Sequence, residues 1–307
     1  YKVGLSRLAF RERCGADFAL STDFALNDSA LSVKGLEVRL DDSNLRFSDV
    51  SIPIKSVKNL GEELKNARFE VEVTKGSSVA VADMRYFVPA LGKSRLTIGL
   101  DAAVSGRLDM CSIDRLRLDI GDKGEYVTAL AEVSAPGMNR EEMSIGLSDL
   151  RCYVKSSTVV ETVELLVPVN RQLRDILAHI EYVDAHMHGR YTPDGAELHC
   201  DLSAAPGSLS IDGSARGKLA SQSGELVLTV RTPDLAVGAV APARASLGNG
   251  SFSVDCNAVL HRGKLQKADF QADIDRLEWR NHIWQSVAFN GAYNGNELEA
   301  EITSRDT

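Results

Sequence analysis

At 307 residues the chain is long enough for one large β domain or two ordinary ones, and 44% hydrophobic against 25% charged residues excludes a disordered chain. Acidic residues outnumber basic ones, 43 to 35, and the net charge of -8 repels phosphate backbones, so nucleic acid is not an expected partner. No charged-then-apolar leader follows Tyr1, and the longest apolar stretch, Leu235 to Ala243, is broken by Gly238 and Pro242, well short of the roughly 20 residues a spanning helix needs; we expect an internal piece of a longer protein whose leader or anchor lies outside it.

In chain order, a short helix is expected after Ser56, with Val57, Leu60 and Leu64 on one side, although Gly61 weakens it. Strict alternation then marks strands with one wet and one dry face: Phe69, Val71 and Val73 against Arg68, Glu70 and Glu72, then Leu116, Leu118 and Ile120 against Arg115, Arg117 and Asp119. The convincing helical signals lie mid-chain. Thr158-Val159-Val160-Glu161 fits a capping box, Val159, Val160, Val163, Leu166 and Val167 form an apolar stripe, and Pro168 ends it. A second short helix is expected from Leu173, Ile176, Leu177 and Ile180, capped by Asn170. Alternation resumes beyond it. The dry residues are Leu226, Leu228 and Val230, then Phe252, Val254 and Cys256, then Phe270, Ala272 and Ile274, then Leu298, Ala300 and Ile302. Turn signals fall at Pro193-Asp194-Gly195, Pro206-Gly207, Ser223-Gly224, Asn249-Gly250, Arg262-Gly263 and Asn294-Gly295.

Such close spacing implies consecutive antiparallel strands, and the lack of helical crossovers excludes a parallel α/β fold. The fold expected is mainly β, a long antiparallel meander with one or two short helices near the middle. Its organisation is a first β segment over 1–155, a helical insertion over 156–180 and a second β segment over 181–307.

Motifs that carry chemistry are missing: there is no GxSxG, HExxH, P-loop lysine or GxGxxG pattern, so the chain is not expected to be an enzyme. The best metal candidate is His186-Met187-His188, whose histidines share a strand face, with His199 on a strand able to pair with theirs. No carboxylate completes the set at a recognisable interval, and neither metal nor cofactor is expected. Asp273 with Asp275, and Glu299 with Glu301, read as the solvated side of amphipathic strands rather than acid and base pairs. Trp279, Trp284, Phe289 and Tyr293 suit packing, with a sugar platform as the other use. The five cysteines, Cys14, Cys111, Cys152, Cys200 and Cys256, are too scattered for a zinc or redox motif and read as small buried hydrophobes, with one disulfide as the alternative.

Several segments carry a family likeness. Leu8-Ala9-Phe10-Arg11-Glu12-Arg13-Cys14-Gly15 and Leu36-Glu37-Val38-Arg39-Leu40-Asp41-Asp42-Ser43-Asn44-Leu45 resemble the repeating unit of the TamB translocation and assembly module family, in the AsmA-like superfamily. The run Ser78 to Leu91, with Asp83, Tyr86, Phe87 and Pro89, looks like that family's strand, acidic residue and aromatic-proline stop. The segment Asp275-Arg276-Leu277-Glu278-Trp279 to Gly291, ending in Ser304-Arg305-Asp306, is similar to another of its recurring strand triplets. The likeness spreads over nearly the whole chain, each motif being degenerate.

The resemblance implies a periplasmic stretch of an envelope-spanning protein, anchored in the inner membrane through a segment outside this chain. It also implies a twisted, taco-like β-groove that shields phospholipid acyl chains between inner and outer membranes, or supports outer-membrane protein assembly with a β-barrel partner met by other parts of the protein. On this reading the groove is lined by Phe69, Val71, Val73, Leu116, Leu118, Ile120, Leu226, Leu228, Val230, Phe252, Val254, Phe270 and Ile274. The alternative from pattern alone is a closed β-sandwich, an extracellular adhesion or carbohydrate-binding module.

Overall fold

The computed structural model describes residues 2–11, 15–27, 29–55, 57–86, 88–120, 124–136, 139–166, 174, 179–218, 223–240, 246–280, 282–295 and 297–304. It is 72% strand, in antiparallel open sheet with few short helices. By contacts the chain divides into two compact units, Tyr1–Met143 with Glu161–Pro168, and Ser144–Val160 with Val169–Thr307.

The first unit holds β1 (Lys2–Arg11), β2 (Asp17–Leu26), β3 (Ala30–Leu40), β4 (Ser43–Arg46), β5 (Val50–Pro53), β6 (Phe69–Ala80), β7 (Thr97–Arg107), β8 (Met110–Ile120) and β9 (Tyr126–Ser134). Each strand pairs antiparallel with the next, except that β4 and β5 share one side of β3, with β4 also bridging to β6. The second unit holds β10 (Ser144–Lys155), β11 (Tyr182–Thr192), β12 (Gly195–Ala204), β13 (Gly207–Lys218), β14 (Ser223–Ala236), β15 (Leu247–His261), β16 (Lys264–Trp279), β17 (His282–Asn294) and β18 (Glu297–Ser304). Its ladder runs from β10 to β18 in sequence order.

Turn chemistry explains most reversals. Arg262 and Gly263 both take positive φ, 51° and 73°, as a two-residue turn that matches the strand twist requires. Asn249-Gly250 is a correction: it lies inside β15, not at a reversal. Glycine is needed there for contact, because a Cβ on Gly250 would come 2.9 Å from the Val237 side chain. A one-turn helix, Val237–Val240, instead follows β14.

The helix expected after Ser56 forms as a 3-10 turn, Val57–Asn59, continued by α1, Leu60–Asn66. The mid-chain helix α2 spans Ser156–Leu166, so it begins two residues before the expected cap Thr158. Ser156 is buried and donates its backbone N–H to the Glu181 carbonyl, which ties the helix start to the strand that follows. Of the second expected helix, Leu173, Ile176, Leu177 and its cap Asn170 lie outside the described residues, as do Cys14, Phe87 and Pro168; Ile180 is helical.

Among the described residues neither unit has a closed core. The buried apolar ones among them are mostly small, such as Ala102, Ala129, Ala185, Cys200, Ala258 and Ala268, and no large apolar side chain among them is fully buried. The chain exposes 19489 Å2. A close-packed monomer of 33.3 kDa exposes roughly 12,600 Å2. The excess follows from a single layer, which leaves both faces of a sheet at the surface.

Among the described residues the one fully buried large side chain is polar. Asp83, at 0% exposure, follows β6 in a 3-10 turn, Val81–Tyr86. Its Oδ2 accepts from the Asp42 and Ser43 backbone N–H groups at 3.1 and 2.8 Å and from the Ser43 hydroxyl at 2.6 Å. The Ser43 Oγ accepts in turn from the Ala80 N–H at 3.0 Å. Arg85 donates to Asp83 and Asp41, and the Tyr86 hydroxyl donates to Asp41, holding the Asp41 carboxyl below its ordinary range. This knot fastens the β3–β4 turn to the end of β6. We predict that Asp83→Ala strands the Asp42 and Ser43 backbone N–H groups and the Ser43 hydroxyl and lowers unfolding free energy by about 3 kcal/mol in urea melts, while Tyr86→Phe, which removes the bond donated to Asp41 and the one accepted from Arg85, costs about 2 kcal/mol.

Candidate functional site

Because side chains alternate, ladder register decides which residues share a face. In the second unit one row runs Leu147, Gly189, Leu198, Gly213, Leu228, Cys256, Phe270, Gly291 and Ala300, one residue from each of the nine strands. The row beside it on the same face runs Leu150, Met187, Cys200, Ile211, Val230, Val254, Ala272, Phe289 and Ile302. Leu226 continues this face on one side with Ala258, Ala268 and Tyr293, and Phe252 with Ile274 and Val287 on the other. All seven residues singled out in this half of the sequence therefore stand on one apolar face.

The first unit repeats the arrangement. Val73, Ala102, Leu116 and Ala129 form one row, and Leu100, Leu118 and Val127 the next. Ile98 pairs with Ile120, Val71 with Val104, and Phe69 with Gly106, so the six chosen residues of this half also share a face. Burial follows the same alternation. In β16, Phe270, Ala272 and Ile274 are half-buried while Gln271, Asp273 and Asp275 are exposed.

Sequence reasoning missed Leu147, Met187, Leu198 and Ile211, because glycine and histidine interrupt alternation in β10 to β13. The turn at Pro193-Asp194-Gly195 was signal enough to set their register. Glycines on this face leave room for neighbours: a Cβ on Gly291 would meet the Phe270 ring at 2.1 Å, and Leu198, between Gly189 and Gly213, is 45% exposed. The aromatics join the face. Trp279 and Trp284 lie 6.3 Å apart between ring centroids, and Phe270 and Phe289 5.4 Å. Cys111, Cys152, Cys200 and Cys256 are free, and burial pushes the Cys152 and Cys200 thiols up, away from the reactive thiolate.

The opposite face is mainly polar, although Val227 and Val259 stand exposed among its charged residues. Two shallow depressions on it, of about 540 and 490 Å3, are valleys between rows of polar side chains floored by ladder backbone. The first is walled by Asp255, Asp269, Gln271, Asn290 and Glu301, the second by His188, Glu197, His199 and Asp212.

Here the register places His188 directly opposite His199, with ring centroids 4.8 Å apart. His199 Nδ1 is 2.6 Å from Asp212 and Nε2 is 3.1 Å from Asp201; His186 Nε2 is 2.7 Å from Asp149. His199 thus spends both ring nitrogens and His186 one on carboxylates, and among the described residues no group of three or more His, Cys, Asp or Glu is arranged to hold a metal ion. Carboxylates at both nitrogens favour the imidazolium, so Asp212 and then Asp201 raise the His199 pKa, and His199 lowers that of Asp212.

Comparison with family models, with curated proteins and with solved structures finds no match to this chain. Among the described residues no helix is long and apolar enough to cross a membrane.

The His199 network has a defined pH signature. A raised folded pKa means its stabilisation is complete below the unfolded value of about 6.5 and is lost as pH rises through the folded value. Urea midpoints of the wild type and of His199→Gln should therefore converge between mildly acidic and alkaline pH. A gap that stays constant with pH contradicts the assignment.

Proposed function

We propose that this chain is a lipid-shielding segment of an envelope protein of the TamB type, in which the apolar face of each unit holds phospholipid acyl chains. The observation that carries the reading is the row structure: in the second unit, apolar residues of nine successive strands share one face and, among the described residues of the unit, no second layer covers it. Water against such a face is costly, at about 25 cal/mol per Å2 of apolar surface. A ligand made of methylenes relieves that cost at roughly 0.8 kcal/mol per methylene shielded.

The chemistry of the lining supports alkyl chains over sugars. Leu, Val, Ile, Ala and Cys dominate the rows, aromatics make up 6% of the sequence, and no convergent set of polar groups punctuates the face. The family likeness of the Leu36–Leu45 and Ser78–Leu91 segments points the same way. On this reading the chain works in the periplasm, is anchored through a segment outside it, and acts beside an outer-membrane barrel partner met elsewhere in the protein. An open antiparallel sheet supports this reading over a sandwich-type adhesion module.

Photocrosslinkers at Val71, Leu118 or Leu228 should label phospholipid in cells, while the same groups at Glu70, Arg117 or Thr229, on the wet face, should not. Leu228→Asp separates face from core. A half-buried wall residue tolerates a carboxylate that stays partly hydrated, so the variant should keep its strand circular dichroism and lose lipid labelling. A variant that fails to fold, together with dry-face crosslinkers that never meet lipid, overturns the reading.

A further inference from the structure

Both tryptophans of the chain, Trp279 and Trp284, stand at one hairpin end, near the facing ends of β16 and β17. In an antiparallel meander alternate hairpins lie on the same edge, so this end shares its edge with the β12–β13 and β14–β15 connections. Turns are ordinarily polar. These are small and apolar instead: Ala204-Ala205-Pro206-Gly207 joins β12 to β13, and Val237-Gly238-Ala239-Val240 follows β14. The other edge carries Asp194, Arg262, Lys264 and Glu297 at its turns.

The indoles belong to the apolar face because the ladder slips beside them. From Phe252 to Gly250 β15 moves two residues while its partner β16 moves three, from Ile274 to Leu277, and Ser286 on β17 takes a positive φ of 52°. Such a bulge re-aims the side chains beyond it. Leu277 returns to the dry side, where a Cβ on Gly250 would lie 3.3 Å from the Leu277 side chain and 3.6 Å from that of Phe252. Trp284 stands opposite Leu277 in the ladder, and Trp279 follows Leu277 by one alternation. The apolar face therefore runs out to the hairpin end, where Trp279 is 40% exposed. Ile283, opposite Glu278 and 45% exposed, makes the tip apolar on its other side as well.

Neither indole N–H donates to a described residue. Arg280 lies over the Trp279 ring, 5.3 Å from its centroid, and the His282 ring meets that of Trp284 edge-on at 5.0 Å. Glu278, the carboxylate nearest in sequence, pairs with Arg276 and accepts the Asn249 N–H. Lys155, Glu181 and Asp234 also lie along this edge, which is close to neutral, so the indoles rather than charge set it apart. An exposed indole with a free N–H and a cation at its face suits the boundary between hydrocarbon and water: the ring meets chains, while the N–H and guanidinium meet carbonyls and phosphates. A sugar platform needs polar side chains placed around the ring, whereas Leu247 and Leu277 stand opposite these indoles in the ladder.

We propose that this hairpin end seats the second unit on the surface of a phospholipid bilayer, with Trp279, Ile283 and Trp284 entering the interfacial layer and Arg280 staying at phosphate level. This adds a partner, the bilayer itself, to a face that holds acyl chains. It stands on the hairpin end and not on acyl binding along the strands, so the two readings can fail separately.

Because the chain holds no other tryptophan, its intrinsic emission reads this hairpin end directly. The purified chain should co-float with vesicles of phosphatidylethanolamine and phosphatidylglycerol. Its emission should shift to the blue on mixing, and lipids brominated high on the acyl chain should quench it. Trp279→Ser combined with Ile283→Ser should reduce co-flotation about tenfold. Leu298→Ser, at an exposed residue near the other edge, should leave it unchanged. Failure to co-float, absence of quenching in the wild type, or flotation indifferent to the two tip substitutions overturns the proposal. Protein that already emits in the blue without vesicles and sediments as a dimer has its tip covered by a second copy, which also overturns it. So does a soluble oligosaccharide that shifts the emission and blocks flotation, since that assigns a sugar site. Phospholipid labelling from a crosslinker at Leu228 that persists in any of these cases leaves the acyl-binding face standing.

Discussion

The rest of the structure depends on register. With side chains alternating at every step, a shift of one residue in any hairpin would send that strand's leucines and valines to the wet side. Here the turns hold nine successive strands of the second unit in step, so that Leu228, Cys256 and Phe270, or Val230, Val254 and Ala272, fall side by side. Where strand lengths disagree, bulges absorb the difference without exchanging faces, as between Leu147 and Leu150 against β11, or Val73 and Ser77 against β7. A face assembled this way is apolar by addition, row upon row. It is not a core, because nothing in the unit closes over it.

That arrangement changes what holds the protein together. A sandwich draws stability from large side chains buried between layers, whereas here full burial is reached mainly by alanines and other small residues pressed between strand neighbours. Ladder hydrogen bonds and cross-strand pairs carry the load, with polar fasteners at special points. The Asp83–Ser43 knot is the clearest, joining a turn to the end of a strand some 40 residues later. The polar face adds exposed pairs such as Arg115 with Asp101 and Arg231 with Asp212. Each is individually weak in water. Their abundance keeps that face hydrated, so the sheet has one side that water wets and one that it does not.

Much of this was legible in the sequence, and the misses have physical causes. Alternation located the strands and put all thirteen chosen apolar residues on the dry faces, because period two is a local property. Turn residues gave most reversals, but Asn249-Gly250 misled: glycine also serves close packing, and here it makes room for Val237 inside a long strand. The start of α2 was misplaced because Ser156 is fixed by Glu181, a partner remote in sequence. Nothing local announces that Asp41-Asp42-Ser43 and Asp83-Met84-Arg85-Tyr86 meet, nor that β10 belongs with the strands after the helical segment rather than those before it. The glycine-interrupted strands β11 to β13 hid Met187, Leu198 and Ile211.

Each unit thus presents an apolar face, and in β16 the charged residues Asp273 and Asp275 stand on the reverse side. The central claim is that lipid, not a second protein layer, covers the dry face. Native mass spectrometry of the chain purified without detergent tests it most directly. Bound diacyl phospholipid that can be stripped without loss of strand circular dichroism is the result predicted, and a lipid-free chain that stays soluble and monomeric through the same purification would contradict it.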